Sequence, residues 1–188
     1  MTHIMRKSLL ILALTSSLFL SCEKEPDPFL ISQNSIGLLT RDVKITELDS
    51  VFAEDSIVKQ VSDGELYRKS NEIEIYDRSG KKLLLLEPVQ AFDSTSTIGF
   101  IQVLDPRFKT AKGLGTESTF KDIVENYNIS RIENTLSAAV IFIDDLNMYV
   151  TIDKKNLPVE LRYDTQTRIQ ASQIPDNAPI KYFMIAWD

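Results

Sequence analysis

Apolar residues along this chain recur at two periods, and the changes of period mark its elements. Phe120, Ile123, Val124 and Tyr127 step by three and four, which predicts a short helix with these side chains on one face. Gly113 and Gly115 precede it as a flexible turn, and Thr119 with Asp122 supplies a capping-box start. Ile45, Leu48 and Phe52 repeat the spacing after Gly37-Leu-Leu-Thr40, with Lys44 or Thr46 at the helix start. Elsewhere the period falls to two. Glu72 to Tyr76 alternates polar and apolar, Asp77 to Gly80 is a turn, and Lys82 to Leu86 returns, which predicts a hairpin.

The two helices introduce matching series. Ile57 to Val61, the hairpin and Ile98 to Leu104 follow the first. After the second come Ile129 to Ile132, the apolar run Ala138 to Ile143, a turn at Asp144-Asp145-Leu146-Asn147, Met148 to Ile152 and finally Ile180 to Trp187. Leu157 to Tyr163 and Thr167 to Ala171 read as an added hairpin around Asp164 to Gln166, and the prolines of Ile174 to Pro179 stop pairing before the last strand. The pattern predicts an α+β fold, mainly antiparallel sheet with two short helices. It also predicts a tandem duplication of a turn-helix-strand-hairpin-strand unit, as repeats 35–104 and 109–188 of a globular part spanning 35–188.

Composition adds an address. Arg6 and Lys7 precede an apolar stretch from Leu9 to Leu20 that is short for a bilayer span, so residues 1–21 read as a secretion signal. Leu18-Phe19-Leu20-Ser21-Cys22 resembles the lipobox of bacterial lipoproteins, and Cys22 is the only cysteine. The resemblance covers residues 1–22 and implies acylation of Cys22, such as palmitate, and a stable membrane attachment, since two or more chains hold where one does not. Glu23 stands where the inner-membrane retention signal of enteric lipoproteins has Asp, which favours the outer membrane, and Cys-Glu-Lys-Glu resembles export signals of surface lipoproteins in Bacteroidetes. Residues 22–34 then read as the lipidated cysteine and a flexible tether.

Cleavage before Cys22 leaves 19 basic residues against 27 acidic ones, a formal charge near −8. That excludes nucleic acid as an expected partner, because no basic footprint remains. His3, the only histidine, is removed as well, so serine–histidine and cysteine–histidine catalysis and the usual zinc sites are excluded. No cofactor and no metal are expected.

The remaining candidate chemistry has structural explanations beside it. Gly113-x-Gly115-x-x-Ser118 has the glycines of an anion loop but lacks the last one, and reads as a helix-launching turn. Asp144, Asp145 and Asn147 could offer oxygens to calcium, but are also ordinary turn residues. Asp49 with Glu54 and Asp55, or Glu72 with Glu74, could form a carboxylate pair, though alternation with Ile73 and Ile75 puts Glu72 and Glu74 on the solvent face of a strand. Phe183, Ile185 and Trp187 share one face of the last strand, with Tyr182 and Met184 on the other. They form either core or a partner-binding face, Trp187 being the residue expected to be exposed.

Gly113 to Tyr127 and the hairpin that follows resemble the tandem module of beta-lactamase-inhibitor-type proteins and the related unit of small outer-membrane assembly lipoproteins. That likeness implies a binding module and carries no site residue. The expected function is a lipid-anchored, non-catalytic binding or structural module of the cell envelope with the membrane and an envelope protein as partners. The alternative is an extracytoplasmic hydrolase using carboxylates.

Overall fold

A computed structural model describes residues 27–62 and 70–187. The fold is α+β and dominated by antiparallel sheet. Twelve strands are formed among these residues: β1 Leu30–Ile31, β2 Ser35–Ile36, β3 Leu39–Thr40, β4 Ser56–Ser62, β5 Ser70–Tyr76, β6 Lys82–Pro88, β7 Ile98–Val103, β8 Lys109–Thr110, β9 Arg131–Asn134, β10 Ala138–Ile143, β11 Met148–Asp153 and β12 Tyr182–Ala186. The helices are short: α1 Leu48–Val51, α2 Phe120–Asn126 and α3 Val159–Arg162.

Eight strands form one sheet in the order β4-β5-β6-β7-β12-β11-β10-β9, with every neighbour antiparallel. This is two four-stranded meanders joined last strand to last strand, the order that two copies of one unit would give about a twofold axis perpendicular to the sheet. The expected unit also included a helix before each meander, and α1 and α2 occupy those places.

Alternation along the strands sends apolar side chains to one face of the sheet. Ile57, Ile75, Leu84, Val103, Phe183, Val150, Ile141 and Ile132 are successive cross-strand partners, forming an apolar row across all eight strands. Onto this face pack a four-stranded sheet, β3-β2-β1-β8, and the helices, through Ile31, Ile36, Leu48, Phe120, Ile123 and Leu161. Gly37 and Gly113, the paired glycines of the sequence echo, both take positive φ, 55° and 83°. Thr119 donates its backbone N–H and its hydroxyl to the Asp122 carboxylate, 2.7 and 3.0 Å, fixing the start of α2.

Four expectations are corrected. The fold begins before residue 35: Phe29 packs edge-on to Phe108, 5.1 Å between ring centroids, and Ile31 is buried, so residues 27–34 are not tether. Val124 is exposed rather than on the buried face of α2. Leu157 to Tyr163 is not a strand: Leu157 and Leu161 are buried while Val159 and Tyr163 face out, a helical spacing started by Pro158 at the cap of α3. Thr167 to Ala171 likewise forms no strand, and Asp164 instead closes a turn by accepting the backbone N–H groups of Gln166 and Thr167.

Candidate functional site

β12 is a central strand, so one of its faces must be core. Phe183, Ile185 and Trp187 take that face: all three are buried, Trp187 at 3% exposure, with its indole N–H donating to the Gln33 carbonyl at 3.2 Å. The expected partner-binding residues are therefore inside, and the alternate residues of the same strand carry the accessible surface.

That surface is also continuous. Arg131, Phe142, Tyr149, Met184, Gln102, Leu85, Glu74 and Val58 are successive cross-strand partners, a second row spanning the sheet on the face away from the core. Toward one rim it carries aromatic rings beside polar groups. Phe100 pairs with Ala186 beside it, and a hollow of about 320 Å3 opens there, lined by Phe100, Phe142, Tyr149, Ala186 and Met148 with Arg131, Asp144 and Asn147 at its polar margin. The Phe142 and Tyr149 rings lie 5.4 Å apart at 32°, and the Arg131 guanidinium sits 3.5 Å over the Phe142 centroid. Arg131 is steered there by Glu133, which accepts from its Nε at 2.9 Å.

The turn residues are built into this margin. Asp144 accepts from the Ser130 hydroxyl at 2.8 Å, and Asn147 takes the left-handed conformation that ends the turn, φ 51°. Among the described residues no group of three or more Asp, Glu, His or Cys is placed to hold a metal ion. The glycine turn is structural: the Leu114 N–H is bonded to the Thr110 hydroxyl and the Gly115 N–H to the Ser118 hydroxyl, and a Cβ on Gly115 would meet the Phe108 carbonyl oxygen at 2.8 Å.

The carboxylates divide into ion pairs and one network. Asp49 faces Lys59 at 3.8 Å, and Glu54 pairs with Arg78. Glu74 lies on the outer face as its alternation requires, but it is buried rather than solvated, accepting from Tyr76 Oη at 2.5 Å and Lys82 Nζ at 2.6 Å. The bond to Glu74 in turn raises the Lys82 ammonium. At the turn between β5 and β6, the buried Asp105 accepts from Arg107 Nε and Nη2, both 3.0 Å, and pairs with Lys81 at 3.0 Å. Burial pushes the Asp105 carboxyl up, but the bonds from Arg107 and Lys81 outweigh it and hold it at about 2. Arg107 also reaches Asp77 at 2.7 Å, and the Ser79 hydroxyl, the Lys81 N–H and Arg107 hold Asp77 well below the usual range. Asp55 moves the other way, raised by burial and then by the charge of Asp77. The same guanidinium lies 4.6 Å over the Phe29 ring, tying the start of the fold to this turn.

Fold and surface together define an α+β domain with one face of its large sheet covered and the other open. No protein-family model matches the chain, and no curated protein matches it in sequence. The fold is similar to that in the crystal structure of the uncharacterized protein yfeY from Escherichia coli, with a TM-score of 0.54 and 13% identity, covering 84% of this chain and 99% of that one. At that identity the likeness carries the fold alone.

The aromatic hollow is hard to read from the sequence because Phe142 sits in an all-apolar strand. A signal was present: Ala138 to Ile143 is apolar at every position, and a strand flanked on both sides in an antiparallel sheet needs only one buried face.

Proposed function

We propose that the protein is a lipid-anchored, non-catalytic binding module of the bacterial cell envelope, held in the outer membrane through Cys22, with the open face of its sheet taking an envelope protein. The observation that carries this reading is the hollow at Phe100, Phe142 and Tyr149: neighbouring rings with an arginine over one of them and polar groups at the margin have the composition of a protein-interface centre, where aromatic and arginine anchors dominate. Of the carboxylates the hydrolase alternative would draw on, Asp49 faces Lys59, Glu54 pairs with Arg78 and Glu74 accepts from Tyr76 and Lys82, which argues against a free acid–nucleophile pair.

The test is photo-crosslinking in cells with a crosslinkable residue replacing Tyr149 in the full chain. A discrete crosslinked envelope protein, lost when Phe142→Glu is added, is expected. Crosslinking no different from that of an exposed position such as Lys121 sinks the binding reading. Cys22→Ala tests the anchor separately: release from the membrane fraction with loss of the fatty-acid label is expected, and unchanged fractionation refutes the address.

A further inference from the structure

Resting on the lipid-anchored reading, we infer that the rim of the sheet where the chain enters the fold lies on the bilayer surface, through Leu136, Val159 and Tyr163. Strand register assigns the rim. Ala138 faces Asp153, Thr151 faces Tyr182, Phe183 faces Val103 and Val103 faces Leu84, so the segment at Leu136, the segment after Asp153, Tyr182 and the Asp77–Gly80 turn all end at the same side. α3 is held to that side by Lys154, whose N–H donates to the Ser137 carbonyl and whose ammonium donates to the Asp164 carbonyl at 2.7 Å. The chain enters here too, because Phe29 lies under Arg107, and Arg107 bonds the Asp77 turn.

Large apolar side chains collect on this rim. Leu136 is 84% and Tyr163 89% exposed, Val159 is exposed beside Tyr163 one helical turn away, and Tyr182 and Leu38 stand on the same side, Leu38 next to Gly37, which packs on Pro28. The exposed Lys155 and Arg162 flank Val159, with Glu160 between them. Leucine and valine at the acyl boundary, tyrosine at headgroup level and basic residues toward phosphates are the chemistry of an interfacial contact. Chain length selects the lipid surface as the occupant. Asp27 lies five positions after Cys22, and fully extended that stretch spans about 17 Å. An acylated Cys22 therefore keeps this rim within reach of the membrane, while Asp144 and Asn147 place the aromatic hollow at the opposite rim, facing away.

The experiment uses the full chain, processed in its host, purified in detergent and reconstituted into phosphatidylcholine–phosphatidylglycerol vesicles with brominated acyl chains. Leu136→Trp and Tyr163→Trp are compared with Val89→Trp at the far rim, after subtracting the emission of Trp187. The added emission at Leu136→Trp and at Tyr163→Trp is expected to fall by roughly half, the depth of an interfacial side chain, with little loss at Val89→Trp. A protein that carries no acyl mass and does not float with vesicles overturns the anchor and this inference together. A protein that is acylated and floats, but is quenched equally at both rims or at neither, overturns this inference alone.

Discussion

The Trp187 indole N–H donates to the Gln33 carbonyl at 3.2 Å, joining the residue after the last strand to the turn between the first two. Two contributions meet in that one side chain, burial of a large ring and a hydrogen bond, and substitution separates them. Trp187→Phe keeps most of the apolar contact and is expected to cost about 1 kcal/mol. Trp187→Ala also empties the core beneath β12 and is expected to cost about 3–5 kcal/mol. Urea unfolding followed by circular dichroism measures both, and equal losses would contradict the partition.

Acid stability depends on the Asp105 network. A carboxyl held at about 2 against an ordinary value of 3.8 stabilises the fold above the ordinary value, and that stabilisation is lost as pH falls from about 4 towards 2. The shift corresponds to about 2 kcal/mol. Arg107→Leu leaves the buried carboxylate with Lys81 and the backbone N–H of position 107, and is expected to cost about 2–4 kcal/mol at neutral pH. Thermal unfolding between pH 7 and 2 should show a flatter acid limb for the variant. An unchanged limb would place the acid sensitivity elsewhere.

Gly37 and Gly113 share a positive φ but not a neighbourhood. A Cβ at Gly37 would lie 2.0 Å from the Pro28 carbonyl oxygen, whereas one at Gly113 meets nothing within 4 Å. Gly113→Ala is expected to cost about 1–2 kcal/mol, the penalty of the left-handed conformation. Gly37→Ala must in addition displace the chain at Pro28 and is expected to lose clearly more in the same urea titration. Equal losses would mean that Pro28 yields freely.

Phe142 is half-buried on the open face, so its removal should affect binding more than folding. Phe142→Ala is expected to cost about 1 kcal/mol of stability while abolishing the crosslink from a probe at Tyr149. Arg131→Ala, which uncovers the ring, is expected to weaken the crosslink without abolishing it. A retained crosslink with Phe142→Ala would move the binding surface away from the hollow.

Much of the sheet was legible because its strands alternate or are uniformly apolar. Ala138–Ile143 forms with its predicted bounds, and the Asp77–Gly80 turn closes its hairpin through the Gly80 N–H to the Asp77 carbonyl. The failures are local patterns settled by distant contacts. Leu157, Val159 and Leu161 alternate like a strand, yet with no neighbouring strand to pair them the chain coils and buries only Leu157 and Leu161. Trp187 near the chain end was expected at the surface, and Gln33, 154 positions earlier, puts it inside. Leu30-Ile31 is too short to declare itself and becomes a strand because β2 and β8 flank it. The hollow was least legible, since Arg131, Phe142, Tyr149 and Ala186 come from four strands and meet only through register.

The joint between the two meanders has a consequence for how the molecule is made. Val103 and Phe183, which face each other at that joint, are 80 positions apart, whereas every other seam of the large sheet links strands consecutive in the chain. Each meander can zip locally as it emerges from the ribosome, but β7 and β11 stay open edges until Tyr182–Ala186 arrives to bridge them. Completion of the sheet thus waits for β12, and a chain cut short before it would present two unpaired strands to its neighbours.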